Sequence, residues 1–531
     1  MSAPTSSKVF SHPKTWALWT DMTARGWQVA LYASFGAMIF GYDTAWWSGV
    51  LGMPAFTSRF GVYNPTTKAY SIAAPLQSSG SGIPTAGRII GSIVTPFVAD
   101  RIGRRWCMFV MSILFIIAII IEVTAQSFWQ IIIGRFLNYI PMGMAGALVP
   151  VYQSECAPAS CRGSMITVFT WTCDAGALLA SGIVFNTHKL KSEAAYKIVM
   201  GVQLIFPILL LSALPWIPET PRWLCMKGRR EEALTILKTL RKTPETAELE
   251  ILDIEASLEM HNDDGKWIDL FRGTNLRRTI IAITLPTIEA WQGQSFMGNY
   301  LIVFLISLGV TNQYLLSLLL QAVILIMVTL LFWAPDKIGR RPMMLAGSIT
   351  MFTTMYITAG VSGHNSAETS TTRKQVAVGM LFIWAITYAC TWQTLGFIAP
   401  AEIPTTKLKT KTGGIAYFTQ QTGGLIITFI SPYMQNAGYG NMGPYIGFFF
   451  GAFSFMGIIF VWFCYPETKG ASIEDLDLFF AQRLPTRQFG KALRGQHGIQ
   501  EFVIEGQIKD IEMAEEKKKM DTVTVVPQSV D

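Results

Sequence analysis

Asp100-Arg101-Ile102-Gly103-Arg104-Arg105 and Asp336-Lys337-Ile338-Gly339-Arg340-Arg341 are two copies of one six-residue pattern, each following a long apolar run and preceding another. In each copy a helix leaves the bilayer, turns on Gly, presents an acid and several bases to water, and re-enters at once. Short loops dense in Lys and Arg resist translocation, so both turns belong on the cytoplasmic side. Two matched turns at equivalent places imply two membrane-embedded halves built on one plan.

The rest of the composition agrees. The 531 residues are 51% hydrophobic and only 15% charged, with 33 Phe, as in a polytopic membrane protein. Apolar stretches of helical-span length recur at 27–51, 78–99, 106–125, 131–154, 164–185, 198–217, 279–307, 314–334, 343–362, 376–400, 413–433 and 444–465, twelve in all. With the N-terminus inside, the great majority of the 42 Lys and Arg fall in cytoplasmic segments. The net charge of +7 is therefore a topology signal, and no nucleic-acid partner is expected. The first 26 residues are polar and the first apolar run is long, so no cleaved leader is expected. All seven Cys fall in spans or on the cytoplasmic side and all five His outside the spans, which predicts neither an outer disulfide framework nor an intramembrane imidazole relay.

Five segments follow: a cytoplasmic lead (1–26), a first six-helix bundle (27–217), a cytoplasmic helical linker (218–278), a second six-helix bundle (279–466) and a cytoplasmic tail (467–531), disordered after about residue 484. Asp43 sits well inside the first span, and Arg135 opens the fourth. A carboxylate in lipid is costly unless it is paired or wet, and both charges fall in the outer part of the bilayer, where they can pair. Span four ends at Glu155 with Arg162 behind it, and span ten ends near Glu402 with Lys409 behind it. Pro218-Glu219-Thr220-Pro221-Arg222 after span six is mirrored by Pro466-Glu467-Thr468 after span twelve.

Taken in order, the paired loops, Pro150-Val151-Tyr152-Gln153-Ser154-Glu155, Pro221-Arg222-Trp223-Leu224, Ala401-Glu402-Ile403-Pro404 and Pro466-Glu467-Thr468-Lys469-Gly470 resemble the sugar porter family of the major facilitator superfamily, its fungal members most of all. The resemblance covers nearly the whole chain. It implies an all-α membrane protein of two pseudo-symmetric six-helix bundles around a central substrate cavity, alternating access by rocking of the halves, and transport by a monomeric unit. It also implies an inner charge cluster that closes the cytoplasmic side in the outward-open state. Here that cluster is Asp100, Arg104, Arg105, Glu155, Arg162, Glu219 and Arg222 in the first half, and Asp336, Arg340, Arg341, Glu402, Lys409 and Glu467 in the second. Lys409 stands where the family has Arg and gives up bidentate geometry. Family symporters carry a carboxylate at Asp43, which implies proton coupling there with Arg135 as partner.

The substrate positions depart further from the family. Thr170 and Ala177 stand where it places Gln in span five. In span seven Glu289-Ala290-Trp291-Gln292-Gly293-Gln294-Ser295 replaces its QQxxGxN pattern, with Asn299 and Tyr300 following. Ile288, Gln292, Ser295 and Asn299 share a face at helical spacing, a polar stripe in an apolar helix. Gln420 in span eleven keeps a family glutamine and precedes Gln421. Phe397 replaces the usual tryptophan of span ten, with Trp392 and Gln393 a turn or more outward. Amides and hydroxyls that donate and accept suit a sugar's hydroxyls, and aromatic faces suit its C–H side. Two more charges, Arg88 and Asp174, each stand twelve residues from an inner loop, roughly 18 Å deep at 1.5 Å per residue. They pair with one another or with Glu289, or they bind a charged substrate, and structural pairing is the favoured expectation.

No Walker A, HExxH or GxSxG motif is present, so ATP-driven pumping, metal chemistry and hydrolysis have no residues to carry them, and no cofactor is expected. The leading expectation is a secondary transporter of a sugar or related polyhydroxylated molecule with proton symport, in a plasma membrane with both termini cytoplasmic. The alternatives are facilitated diffusion, a charged or secondary metabolite as substrate, and a non-transporting nutrient sensor on the same scaffold.

Overall fold

The computed structural model describes residues 22–490, apart from 65–68, 159–161, 261–265, 332–333, 363–370, 397–401, 406–407, 437 and 470–472. The lead before residue 22, the tail after 490 and Phe397 lie outside the described residues, as do the side chains of Arg162, Asp336 and Lys409.

Each of the twelve expected spans is built on helix over its described residues. The first half holds Ala24–Leu51, Ala74–Ile102, Arg104–Val123, Phe128–Cys156, Arg162–Thr187, and a sixth span broken into Ala194–Val202 and Ile205–Ala213. The second holds Gly273–Glu289 continued by Ser295–Ser307, then Gln313–Leu330, Arg340–Ser362, Thr371–Tyr388, Lys409–Gln435 and Ile446–Phe463. Nine of these spans among the described residues have the length and hydropathy to cross a membrane. The other three, spans one, seven and eleven, fall short because they are polar or interrupted. Those three line the central cavity described below.

The first half packs backbone against backbone. A Cβ at Gly87 or Gly91 would strike the carbonyls of Phe136 or Ile140, and one at Gly143 the carbonyl of Arg88. Spans two and four therefore touch without side chains between them, the small-residue packing that membrane helices use in place of a hydrophobic driving force.

The linker forms three helices, Pro221–Met226, Arg230–Leu240 and Pro244–Met260, packed around Trp223, Leu224, Leu237 and Ile251. Arg241 ties it to the inner end of span four. Its guanidinium donates to the carbonyls of Cys156 at 2.9 Å and Ala157 at 3.1 Å and pairs with Glu250. After span twelve, Ile473–Ala481 forms a further helix, and Phe489 is buried against Phe479 and Phe480. Folded structure thus runs past residue 484 to at least 490, because one aromatic side chain anchors a stretch without periodicity.

The halves meet on the outer side. Ser78 Oγ of span two donates to the Phe429 carbonyl of span eleven at 2.9 Å. Tyr300 reaches the carbonyls of both Gln77 and Thr428. The backbone N–H of Ile302 donates to Ser48 Oγ at 3.2 Å.

Candidate functional site

Below these contacts lies a cavity of about 230 Å³ between the halves. That is less than the about 300–1,000 Å³ of sites for drug-sized ligands, so it suits one small molecule. Spans one, two and five line one wall with Thr44, Ser48, Arg88, Asp174 and Ser181. Spans seven, eight, ten and eleven line the other with Glu289, Gln294, Ser295, Ser317, Gln321, Trp384, Tyr388, Gln393, Gln420 and Gln421.

Two interruptions of helical geometry shape that second wall. Ala290–Gln294 in span seven and Ala389–Gln393 in span ten are π-turns, and Gly293 has φ of +109°. A π-turn adds a residue to a helical turn and commonly marks a functional site. It also shifts the facing of everything beyond it, which explains where the expected stripe of span seven goes. Ser295 lines the cavity, but Gln292 is fully buried beside Gly457. Asn299 donates to the Ser295 carbonyl at 2.8 Å and does not line the cavity. Gln294, on no expected face, does.

Glu289 is the best-held polar group of the wall. Tyr388 donates its hydroxyl to Oε1 at 2.8 Å and Gln420 its amide to Oε2 at 3.0 Å. Tyr388 stacks on Trp384 with ring planes 7° apart, which presents an aromatic face to the cavity. Across the gap Gln393 donates to Asp174 Oδ1 at 3.3 Å, a hydrogen bond from the second half to the first. Arg88 lies between the rings of Phe40 and Tyr139, with its guanidinium carbon 5.7 and 5.8 Å from their centroids. Among the described residues it forms no ion pair with Asp174 or Glu289.

Of the ten residues expected at the substrate, Glu289, Ser295, Gln420 and Gln421 share the cavity. Thr170, Gln292, Asn299, Tyr300 and Trp392 are elsewhere, Tyr300 among the outer contacts and Trp392 buried with its N–H on Ser348 Oγ. Arg88 and Asp174 join the cavity. Tyr388 escaped the sequence reading, and Gln393 and Gln294 were noted in it without being assigned to the substrate. Polar groups spaced four or five residues apart in an apolar helix were the available signal.

A second polar site lies wholly inside the first half. Asp43 Oδ1 accepts from Trp46 Nε1 at 2.8 Å and from Asn138 Nδ2 at 2.9 Å. Asp43 Oδ2 lies 3.7 Å from Arg135 Nη2, and both side chains are buried. Arg135 donates to the Gly80 carbonyl at 2.6 Å and to the Tyr139 hydroxyl at 2.8 Å, and covers the Trp47 ring at 4.0 Å. The expected pair is therefore in place but loose.

At the inner face the two sequence repeats are structural repeats. Arg104 pairs with Asp100 at 3.0 Å and Glu155 at 3.3 Å, and Arg340 with Glu402 at 3.4 Å. Glu219 accepts from the backbone N–H groups of Arg104, Arg105 and Thr220, and Glu467 from those of Arg340, Arg341 and Lys469. The ion pairs seen here each stay within one half.

The family model for sugar (and other) transporters matches residues 29–480. The chain is 28% identical over 85% of its length to the major facilitator-type transporter ecdD of Aspergillus rugulosus, covering 86% of that protein. It is 27% identical over 87% of its length to the high-affinity gluconate transporter ght3 of Schizosaccharomyces pombe, covering 84% of it. In fold it is similar to the E. coli proton:xylose symporter XylE bound to 6-bromo-6-deoxy-D-glucose, with a TM-score of 0.71, 20% identity, and coverage of 86% of this chain and 99% of that one.

Proposed function

The chain belongs to the sugar (and other) transporter family, an integral multi-pass transporter of the major facilitator superfamily and not an enzyme, and from that premise we propose that it carries a neutral polyhydroxylated molecule by alternating access with proton symport. The observation that carries the substrate reading is the cavity wall of Glu289, Tyr388, Gln393, Gln420 and Gln421 beside the Trp384 ring. Amides and a phenol supply both donors and acceptors, as a polyol needs, and stacked aromatic faces suit its apolar side. The similarity to a proton:xylose symporter and the buried Asp43–Arg135 pair support proton coupling. The transport unit is a monomer in the plasma membrane, with both termini in the cytoplasm, in keeping with the distribution of basic residues.

One observation favours a second reading. Arg88 brings a guanidinium to the cavity, and a carboxylate-bearing substrate would give it an opposite charge. The similarity to a gluconate transporter points the same way, whereas Asp174 and Glu289 repel an anion and keep the neutral substrate ahead.

The test is an uptake panel in transport-deficient cells, covering hexoses, pentoses, polyols and sugar acids at two external pH values with and without a protonophore. Accumulation of a neutral sugar, abolished by the protonophore, is the expected result. Uptake of sugar acids alone establishes the second reading, protonophore-insensitive uptake establishes facilitated diffusion, and signalling without uptake establishes a sensor.

A further inference from the structure

Glu122 lies in the last turn of span three, on the second polar site of the first half, and has no part in the account so far. Its side chain is 1% exposed, and among the described residues neither carboxylate oxygen has a hydrogen-bond partner. It packs on Gly134, where a Cβ would meet its Cγ at 2.7 Å, directly before Arg135 in the chain. Asn138 and Gln203 are its polar neighbours, and Asp43 and Arg135 are the charges that act on it. Asn138 also donates to Asp43, and the Gln203 amide lies against the same carboxylate, so the two carboxylates belong to one buried site. The other titratable or charged groups around that site are Tyr42 of span one, Arg88 of span two and Tyr139 of span four. Span six presents only the uncharged Gln203.

The charge count in this site does not close. Asp43 and Glu122 bring two carboxylates, and Arg135 brings one guanidinium, already committed to Gly80 and Tyr139. Arg88 faces the cavity between two rings. A second ionised carboxylate enclosed by protein within the membrane, with only the amides of Asn138 and Gln203 beside it, is strongly disfavoured.

We propose that Glu122 is a second proton-bearing carboxyl of the coupling site, so that Glu122 and Asp43 together carry one proton beside Arg135. This rests on the symport reading for its role in transport. Loading then takes a proton from outer water onto the carboxylate pair, and release returns that proton to inner water. The site changes by one charge and no bond other than O–H forms or breaks. With either carboxylate removed, the one that remains faces Arg135 alone and the charge count closes without a proton. The signal was present in the sequence: Glu122 is an acid inside an apolar span, as Asp43 is.

The test uses purified full-length wild type, Glu122→Gln, Glu122→Asp, Asp43→Asn and the Glu122→Gln/Asp43→Asn double variant. Infrared titration of the carboxyl C=O stretch is expected to show a protonated component at neutral pH that is lost in Glu122→Gln, in Asp43→Asn and in the double variant. In proteoliposomes, proton-driven uptake by Glu122→Gln should move to more acidic external pH by about one unit or more, with Glu122→Asp restoring the profile. Thermal unfolding midpoints near the wild-type value show that the variants are folded. An unchanged infrared component together with an unchanged pH profile in Glu122→Gln overturns the proposal. If wild-type uptake ignores the proton gradient while Glu122→Gln still loses the component, the symport reading falls and the proton on the carboxylate pair stands.

Discussion

Glu219 and Glu467, 248 residues apart in the chain, do the same work in the two halves. Each carboxylate accepts the first two backbone N–H groups of the span that follows a charged turn, Arg104 and Arg105 for Glu219, Arg340 and Arg341 for Glu467. The first N–H groups of a helix have no partner within it, and its dipole favours an anion there. The turns themselves require Gly: Gly103 has φ of +94° and Gly339 of +111°, and a Cβ on either would run into the capping carboxylate. The expectation that these acids belong to a gate is thus joined by a local task, capping spans three and nine. Glu219→Ala and Glu467→Ala should each destabilise the folded protein by about 1–2 kcal/mol. Thermal unfolding of the detergent-purified protein checks this, and unchanged midpoints in both variants would sink the capping account.

Burial holds the Glu219 carboxyl above the ordinary carboxylate value, in spite of its three backbone donors. An acid with a raised folded-state pKa contributes stability that is present below its unfolded pKa and lost as pH rises through the folded one. Glu219→Gln should therefore flatten the fall in stability as pH rises through the window just above ordinary glutamate values. Melting curves across that window, compared with wild type, measure it; parallel curves count against the effect.

Much of this plan was legible before any coordinates. The paired loops, the acids behind spans six and twelve, the twelve spans and the Asp43–Arg135 pair could all be read because each rests on local chemistry: length, hydropathy, and a charge too costly to leave in lipid. The substrate wall was legible only in part. Gln292 and Asn299 were placed by 3.6-residue periodicity, and the π-turn at Ala290–Gln294 broke that period within the stretch concerned. Tyr388 directly precedes the second π-turn and Gln393 ends it, where the same assumption fails. Arg88 and Asp174 were open to pairing with one another or with Glu289, or to binding a charged substrate, but Asp174 found an amide from the opposite half and Arg88 two aromatic rings. Such choices depend on packing between halves, which no window of sequence contains.

The inner ion pairs bear on conformational balance. Arg104 with Glu155 and Arg340 with Glu402 hold helix ends within each half, and because these pairs are largely buried, the cost of desolvating the charges offsets most of their attraction. Only several together can bias an equilibrium of a few kcal/mol. Glu155→Gln and Glu402→Gln should each leave folded protein at the membrane and shift it modestly toward inward-open, with the double variant shifting it further. Labelling of a single cysteine placed in the inner cavity reads the shift, and equal labelling in all four proteins would remove these pairs from the gate.

Asp43→Asn tests coupling at the first-half site. An amide preserves the acceptor for Trp46 but carries no proton, so accumulation against a gradient should fall to simple equilibration while exchange of substrate across the membrane persists. Uptake with an imposed proton gradient, set beside counterflow, separates the two. Gradient-driven accumulation at the wild-type level in this variant would exclude Asp43 as an obligatory carrier.

Arg88 and Asp174 give the sharpest test of what the cavity holds. Were they an ion pair, neutralising both would be milder than neutralising either, since a lone buried charge is worse than none. They are not paired with each other here. Asp174 is engaged by Gln393 across the halves, so Asp174→Asn should weaken that link and with it the closed cavity, raising KM severalfold for any substrate. Arg88→Gln should do little to a neutral sugar, because the guanidinium packs on Phe40 and Tyr139 and not on the amides that would hold hydroxyl groups. The double variant should therefore show the two effects added, with a coupling term within about 0.5 kcal/mol of zero. Uptake of one neutral sugar and one sugar acid in the four proteins measures this. A double variant healthier than either single one would mean that the two charges do compensate in some state of the cycle. Acid uptake lost only with Arg88, in a protein that takes up no neutral sugar, would make the guanidinium the substrate's anchor and the carboxylate-bearing substrate the correct reading.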